Sequence, residues 1–259
     1  MKVMKSQENN SEFVRHEPCP ECNSRDNLAR YSDGHAYCFG CEYREPATGE
    51  VNSFTNTKEN SDMITGQVEA LSKRQIDFDT CKFFNYQIGE YKNQPVQIAP
   101  YYNSQYQVVA QHIRFPNKDF IWLGDMDEVN LFGQHKWKPG GKMITITEGE
   151  VDAMSVSKVQ GNKWPVVSVP SGAKSAKKYL KKNLEYLESF ENVILMFDND
   201  DAGNQASIEC AQLFTPKKAL ISKLPMKDAN EMLVSNRGKD IIHHIWNARP
   251  YTPEGIIAG

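Results

Sequence analysis

No apolar run in this 259-residue chain approaches the roughly 20 residues that a helix needs to span a bilayer. Residues 1–12 are polar and lack the apolar core of a secretory signal. The expectation is a protein of a reducing cytoplasm with no membrane partner. Excess positive charge is missing as well: 30 Lys and Arg stand against 33 Asp and Glu, a net charge of −3. Any contact with nucleic acid must therefore rest on local patches. A GxxxxGK[ST] loop is absent, because Gly141-Lys142 and Gly238-Lys239 lack both the upstream glycine and the following Ser or Thr. That excludes a motor of the P-loop kind from these residues.

Only six cysteines occur, yet four are arranged. Cys19-x2-Cys22 and Cys38-x2-Cys41 are separated by fifteen residues. Each pair can set two sulfurs on one tetrahedral Zn2+. Pro18, Pro20 and Gly40 adjoin them, as tight turns require. So short a module cannot bury enough surface to fold alone. Structural zinc supplies on the order of 10–16 kcal/mol. Cys81 and Cys210 fall outside the pattern and read as core thiols.

Composition divides the chain into six parts. Residues 1–12 read as disordered, 13–46 as the zinc module and 47–65 as a flexible linker. Residues 66–141 form a subdomain, 142–245 a strand–helix region, and 246–259 the start of a second linker. In the subdomain, 72–85 reads as one capped helix, and 86–91, 95–102, 105–115 and 120–123 as an antiparallel meander. Beyond it, strands at 143–147, 166–169, 193–197 and 219–224 alternate with helices at 151–159, 173–187, 202–214 and 228–235. The fold class is therefore α/β: a mostly parallel, helix-covered sheet with an antiparallel N-terminal subdomain, preceded by a small zinc ribbon. Ligand sites in such sheets lie beyond the carboxyl ends of the strands.

Those ends carry acids. Asp198-Asn199-Asp200 follows the apolar run 193–197, and at period two Asp198 and Asp200 share a side. Two carboxylates about 4 Å apart repel by roughly 4 kcal/mol at an effective dielectric near 20, which a cation relieves. Glu148 ends the first of these strands, with Asp152 one helical turn further on, and Asp228 lies near the end of the last. Helix capping explains any one of these acids. It explains the set less well. Carboxylates without His or Cys suit Mg2+ or Mn2+, and with them phosphoryl or nucleotidyl transfer or phosphodiester cleavage.

The pattern strand–Glu148-Gly149, then strand–Asp198-x-Asp200-x-Ala202-Gly203, resembles the TOPRIM domain of primases, topoisomerases and some nucleases. Zinc ribbon, linker and crest in this order resemble primases of bacteria and phages. The details are similar to the primase half of the bifunctional primase–helicases of short-tailed bacteriophages. They are Ser32-Asp33-Gly34-His35 before Cys38, the run 147–152, the segment 194–198 and Lys227-Asp228-Ala229-Asn230-Glu231.

The resemblance implies a DNA primase making short RNA primers on single-stranded DNA from ribonucleoside triphosphates, in the host cytoplasm. It implies Zn2+ on Cys19, Cys22, Cys38 and Cys41. It implies Mg2+ or Mn2+ on Glu148, Asp198, Asp200 and Asp228, with Asp152 assisting catalysis. His35, with Asp33 and Tyr37, would read the template. His112, Arg114 and Lys118 would hold the triphosphate, Lys118 also serving catalysis. The chain departs from the family at His112, where a lysine is expected, and at Ile121. An imidazole supplies less positive charge near pH 7 than a lysine. Lys174 and Lys177 are candidate phosphate contacts, whereas Lys181 and Lys182 read as a solvated face. A replicative helicase, fused or separate, and a primer-receiving DNA polymerase are the implied partners. Residues 246–253 resemble the linker into the helicase half, so a shortened or naturally split primase is expected. A TOPRIM-type nuclease and a non-catalytic DNA-binding or helicase-associated module are the alternatives.

Overall fold

The computed structural model describes residues 11–41, 43–45 and 63–251. Contacts divide the chain between residues 60 and 61 into two units. Residues 1–10 and 46–62, which hold most of the expected N-terminal tail and first linker, lie outside the described residues. Glu12, placed in that tail from sequence, exchanges hydrogen bonds with Ser32.

The small unit is a four-stranded antiparallel sheet in the order β1 (Phe13–Glu17), β2 (Leu28–Tyr31), β3 (Ala36–Cys38), β4 (Arg44–Glu45). Arg30 joins Glu17, Glu45 and the Gly34 carbonyl. Its buried apolar cluster consists of Cys19, Leu28, Ala36 and Cys38.

The large unit opens with β5 (Gly66–Gln67) and α1 (Phe78–Phe84). The single helix expected over 72–85 is not formed. Ser72–Arg74 is a 3-10 turn, Gln75 takes left-handed φ 53°, and α1 begins only after its cap, Asp77. The meander follows as β6 (Gln87–Tyr91), β7 (Gln94–Tyr102), β8 (Val108–Arg114) and β9 (Phe120–Gly124), paired in sequence order. Ile64 bonds both ways to the Gln111 side chain, so the linker's expected end already belongs to this unit.

The second sheet has the order β11-β10-β12-β13-β14, built from β10 (Gly141–Thr147), β11 (Val166–Ser168), β12 (Phe190–Met196), β13 (Ala219–Ile221) and β14 (Arg249–Pro250). The first four are parallel, and β14 closes the edge antiparallel. Thr147 lies opposite both Met196 and Ser168, which levels the strand ends into one crest. Helices α2 (Glu150–Val159), α3 (Ala173–Lys182), α4 (Leu184–Glu188), α5 (Asp201–Ala211), α6 (Ala229–Val234) and α7 (Gly238–Trp246) flank the sheet. Asn183 splits the helix expected over 173–187. The boundary expected at 246 also moves: Trp246 ends α7 and Tyr251 N still bonds to Ala219 O. Lys182 is no solvated bystander, because its Nζ donates to the carbonyls of Asp127 and Val129 and ties α3 to the connection after β9. Among the described residues no helix is long and apolar enough to cross a membrane.

Candidate active site

Glu148 leaves β10 toward helix α3. Its Oε1 accepts from Ala173 N at 3.2 Å, and its Oε2 is buried with no hydrogen-bond partner. The preceding turn makes that approach possible: Ser171 and Gly172 both have positive φ, and a Cβ on Gly172 would stand 3.4 Å from Glu148 Oε1. Asp198 follows β12. Burial, then the charges of Glu148 and Asp228, push its carboxyl up to about 7, while Lys227 Nζ at 3.6 Å from its Oδ2 opposes the shift. Gly203 is needed here, since a Cβ on it would come 2.1 Å from the Asp198 carbonyl oxygen.

Asp200 and Asp228 each cap a helix with one oxygen. Asp200 Oδ1 accepts from Gly203 N at 2.9 Å, and Asp228 Oδ1 accepts from Glu231 N at 2.6 Å. Asp152 Oδ1 takes the Asn230 N–H at 3.0 Å, so it too sits against α6. Burial, and then Asp228, hold its carboxyl well above the ordinary range. Capping and clustering therefore coexist, with one oxygen of each capping acid outside the cap.

A cleft of about 510 Å³ joins this crest to the meander. Glu148, Asp152 and Asp198 line one wall; His112, Arg114, Phe120 and Trp122 line the other. His112 stacks on two rings, 4.4 Å from Trp122 and 4.8 Å from Phe120, both nearly parallel to it. Its Nδ1 meets Glu150 Oε1 at 2.6 Å, and Tyr101 OH donates to the same oxygen at 2.7 Å. Burial opposes ionisation of Glu150, but the charge and hydrogen bond of His112, the Tyr101 hydroxyl and a backbone hydrogen bond together leave the carboxyl below its usual value. The Arg114 guanidinium covers Phe120 at 5.2 Å. Ile121 is half-buried and packs in the second face of the meander.

Lys118 stands apart. It is exposed in the β8–β9 turn with φ 73°, and it does not line the cleft. Lys174 and Lys177 line a separate groove of about 220 Å³ between α3 and α5, with Gln205 and Glu209. Sequence reasoning passed over Glu150, Tyr101, Phe120, Trp122 and Lys227. Glu150 and Lys227 lie inside the runs already quoted. Alternation along β8 and β9 places His112, Arg114, Phe120 and Trp122 on one face, a signal that was available.

In the small unit, Cys19 and Cys41 sulfurs lie 3.6 Å apart and those of Cys22 and Cys38 3.7 Å apart. A tetrahedron with Zn–S near 2.3 Å has edges of about 3.8 Å, so the four thiols fit zinc. Among the described residues the four cysteines gather their sulfurs within 4.8 Å of one another, and the crest acids form no comparable group. At the crest, Glu148 Oε2 is a buried carboxylate oxygen with no hydrogen-bond partner, a donor chemistry that fits Mg2+ or Mn2+. Beside the tetrad, His35 Nδ1 meets Asp33 Oδ1 at 2.5 Å and the His35 ring stacks on Tyr31 at 4.2 Å. Tyr37 lies edge-on to Phe39 and under Arg44.

A parallel sheet with Glu148 and Asp198 at its crest, preceded in sequence by a four-cysteine ribbon, defines a TOPRIM-type protein with a zinc-binding module. Residues 145–233 match the family described as Toprim-like, and residues 66–124 match the N-terminal a+b fold of the bacteriophage T7 DNA helicase/primase. The DNA helicase/primase of Enterobacteria phage T3 is 38% identical over 97% of this chain, which spans 46% of that protein's length. The primase fragment of the bacteriophage T7 primase-helicase protein is 35% identical, with a TM-score of 0.70 over 91% of this chain and 100% of the fragment. A second T7 structure, 40% identical with a TM-score of 0.68, covers 72% of this chain and 94% of its own. It holds lagging-strand DNA polymerase interacting with primase domains of two gp4 subunits bound to an RNA/DNA hybrid and dTTP. The chain belongs to the family of phage primase–helicases, in its primase portion.

Proposed function

We propose that this chain is a DNA-directed RNA primase, joining ribonucleoside triphosphates into short primers on single-stranded DNA. The observation that carries the reading is the cleft in which the acid crest faces the His112–Arg114 wall. Glu148, Asp198, Asp200 and Asp228 would hold Mg2+ or Mn2+, with Asp152 behind them. A bound dication would supply charge stabilisation for the attacking sugar oxygen and the leaving pyrophosphate. Lys227 would balance Asp198 until the metal arrives. Arg114, and Lys118 from the adjoining turn, would carry the charge of the triphosphate.

The small unit would read the template through His35, Asp33 and Tyr37, whose rings and polar edges suit unpaired bases. Lys174 and Lys177 would touch the phosphate backbone, a role that their groove supports only as a neighbouring surface. The T7 relative found with a polymerase and an RNA/DNA hybrid supports a helicase and a primer-receiving polymerase as partners. Incubation with single-stranded DNA of varied trinucleotides, labelled ribonucleotides and Mg2+ tests the reading. Short RNA on certain templates only is the expected result; shortened DNA with no RNA would replace primase by nuclease.

A further inference from the structure

Asn230 sits in the first turn of α6, two residues beyond Asp228, and is almost wholly buried. Its backbone and its side chain reach different parts of the chain. The backbone N–H is given to Asp152 Oδ1 at 3.0 Å. The side-chain amide donates to the Arg74 carbonyl at 2.9 Å and to Ser155 Oγ at 3.0 Å, and its oxygen accepts from the Arg74 guanidinium at 3.1 Å. A guanidinium can only donate, which fixes the oxygen end of the amide. Ser155 is free to accept because its own proton goes to the Val151 carbonyl at 2.7 Å. Asp152 and Ser155 lie three apart on α2 and share a face, so one residue of α6 grips α2 at two points.

The crest depends on this grip. A helix start leaves N–H groups without partners inside the helix. Two acids divide those of α6: Asp228 takes the N–H of Glu231 at 2.6 Å, and Asp152, from α2, takes that of Asn230. One turn of helix therefore orients both carboxylates. The cap bond of Asp228 is internal to α6 and would travel with it. The Asn230 side chain instead joins the turn to a frame outside α6. Arg74 is a firm part of that frame: its N–H bonds to the Leu71 carbonyl, and the next residue, Gln75, accepts from Lys158 Nζ of α2 and donates to the Val234 carbonyl of α6. An amide serving stability alone could sit anywhere along the contact of α2 with α6. This one lies one hydrogen bond from one crest acid and two residues from another.

We propose that Asn230 is a positioning residue of the crest: its amide locks the start of α6 to α2 and Arg74, and so sets Asp228 and Asp152 for a dication. The proposal rests on the reading of the crest as a Mg2+ or Mn2+ site. Asn230 itself touches neither metal nor nucleotide and acts through the two acids.

The test compares Asn230→Ala and Asn230→Asp with the parent, as whole chains with zinc bound. Mn2+ binding is read by electron paramagnetic resonance of the free ion, counting the site that Asp198→Asn abolishes. RNA synthesis on one template gives kcat and the template KM. Loss of a partner behind a metal ligand typically costs about 10–100-fold in affinity or activity. Both variants should therefore raise the Mn2+ dissociation constant at least about ten-fold and lower kcat about ten-fold, with the template KM within about two-fold. Aspartate keeps the shape of the side chain but sets an oxygen against the Arg74 carbonyl, so its loss should match that of alanine. Thr80→Val is the control: this buried hydroxyl bonds to Asn162, away from the crest, so its loss should lower the melting temperature and leave Mn2+ binding within about two-fold. If neither Asn230 variant folds, Ser155→Ala, which removes one of the three bonds of the amide, should shift Mn2+ binding in the same direction. Variants at Asn230 that melt lower yet keep the parent's Mn2+ constant and kcat would overturn the proposal. So would an aspartate variant equal to the parent, or a Thr80→Val chain that weakens Mn2+ as much. A parent chain with no Mn2+ site dependent on Asp198 removes the crest reading itself, and this proposal with it.

Discussion

In the small unit, Cys19, Leu28, Ala36 and Cys38 form the buried apolar cluster, and two of the four belong to the cysteine tetrad that fits zinc. The large unit buries a continuous core that runs from Leu71 to Ile245 and includes both faces of a parallel sheet. One part of the chain relies on a cysteine tetrad that fits zinc and on ion pairs such as those of Arg30; the other is held by area removed from water. The polarity of the two candidate sites follows the same division. His35 and Asp33 stand on a hairpin at the surface, where contacts can be exchanged. Glu148, Asp152 and Asp198 stand on strand ends and helix starts that the core keeps in place. A surface proposed to read a template and a crest proposed to carry the reaction would place different demands on rigidity.

The contrast is broken most completely at the zinc. Chelation, or Cys38→Ser, should unfold the small unit and abolish template-dependent RNA synthesis. The thermal transition of the large unit should stay within a few degrees, and hydrogen exchange resolved by segment checks both halves. If the two units melt together, the division drawn above is wrong.

Next in size is the crest. Asp198→Asn and Asp200→Ala should each lower RNA synthesis at least about 100-fold while zinc content, measured by metal analysis, stays at one per chain. Asp198→Asn should not lower the metal-free melting temperature near pH 8, because burial and the neighbouring acids already disfavour the charged carboxylate. Asp200→Ala should cost about 1 kcal/mol of stability through the lost cap.

Gly203→Ala tests the scaffold beneath the chemistry. Its Cβ would meet the Asp198 carbonyl at 2.1 Å, so helix α5 must shift. A fall of several degrees in melting temperature and a matching loss of activity are expected, with the small unit unaffected.

The smallest effect is a pH dependence confined to the large unit. Burial, then Lys136, lowers the His135 pKa from 6.5 to about 4. The unfolded chain takes up the proton first as pH falls, so this residue's contribution is intact above pH 6.5 and is lost progressively toward pH 4. His135→Phe should flatten that part of the stability profile, measured by urea unfolding at a series of pH values.

Much of the large unit could be read from its sequence because its strands are apolar runs that end in acids, and β10 and β12 stop where Glu148 and Asp198 say they should. The breaks were less legible. Gln75 in left-handed geometry and Asn183, which ends α3 and caps α4, interrupt two stretches read as single helices. Helix α7 and β14 were missed for another reason. The Arg249-Pro250 segment looks like linker, and becomes a strand only because β13 offers it an open edge. In the site, the acids announced themselves through charge, whereas the His112–Glu150–Tyr101 network depends on three elements meeting across 11 to 49 positions of sequence. No local pattern carries that.

Asp200 and Asp228 use one oxygen to start a helix and leave the other at the crest. Heredity therefore acts on two traits through a single codon at each of these positions. A change that silences the chemistry also loosens the first turn of α5 or α6, and a change that keeps the turn, such as asparagine, leaves a well-folded protein with a poorer cation site. At these two positions, drift toward a folded but inactive descendant thus runs through asparagine rather than alanine.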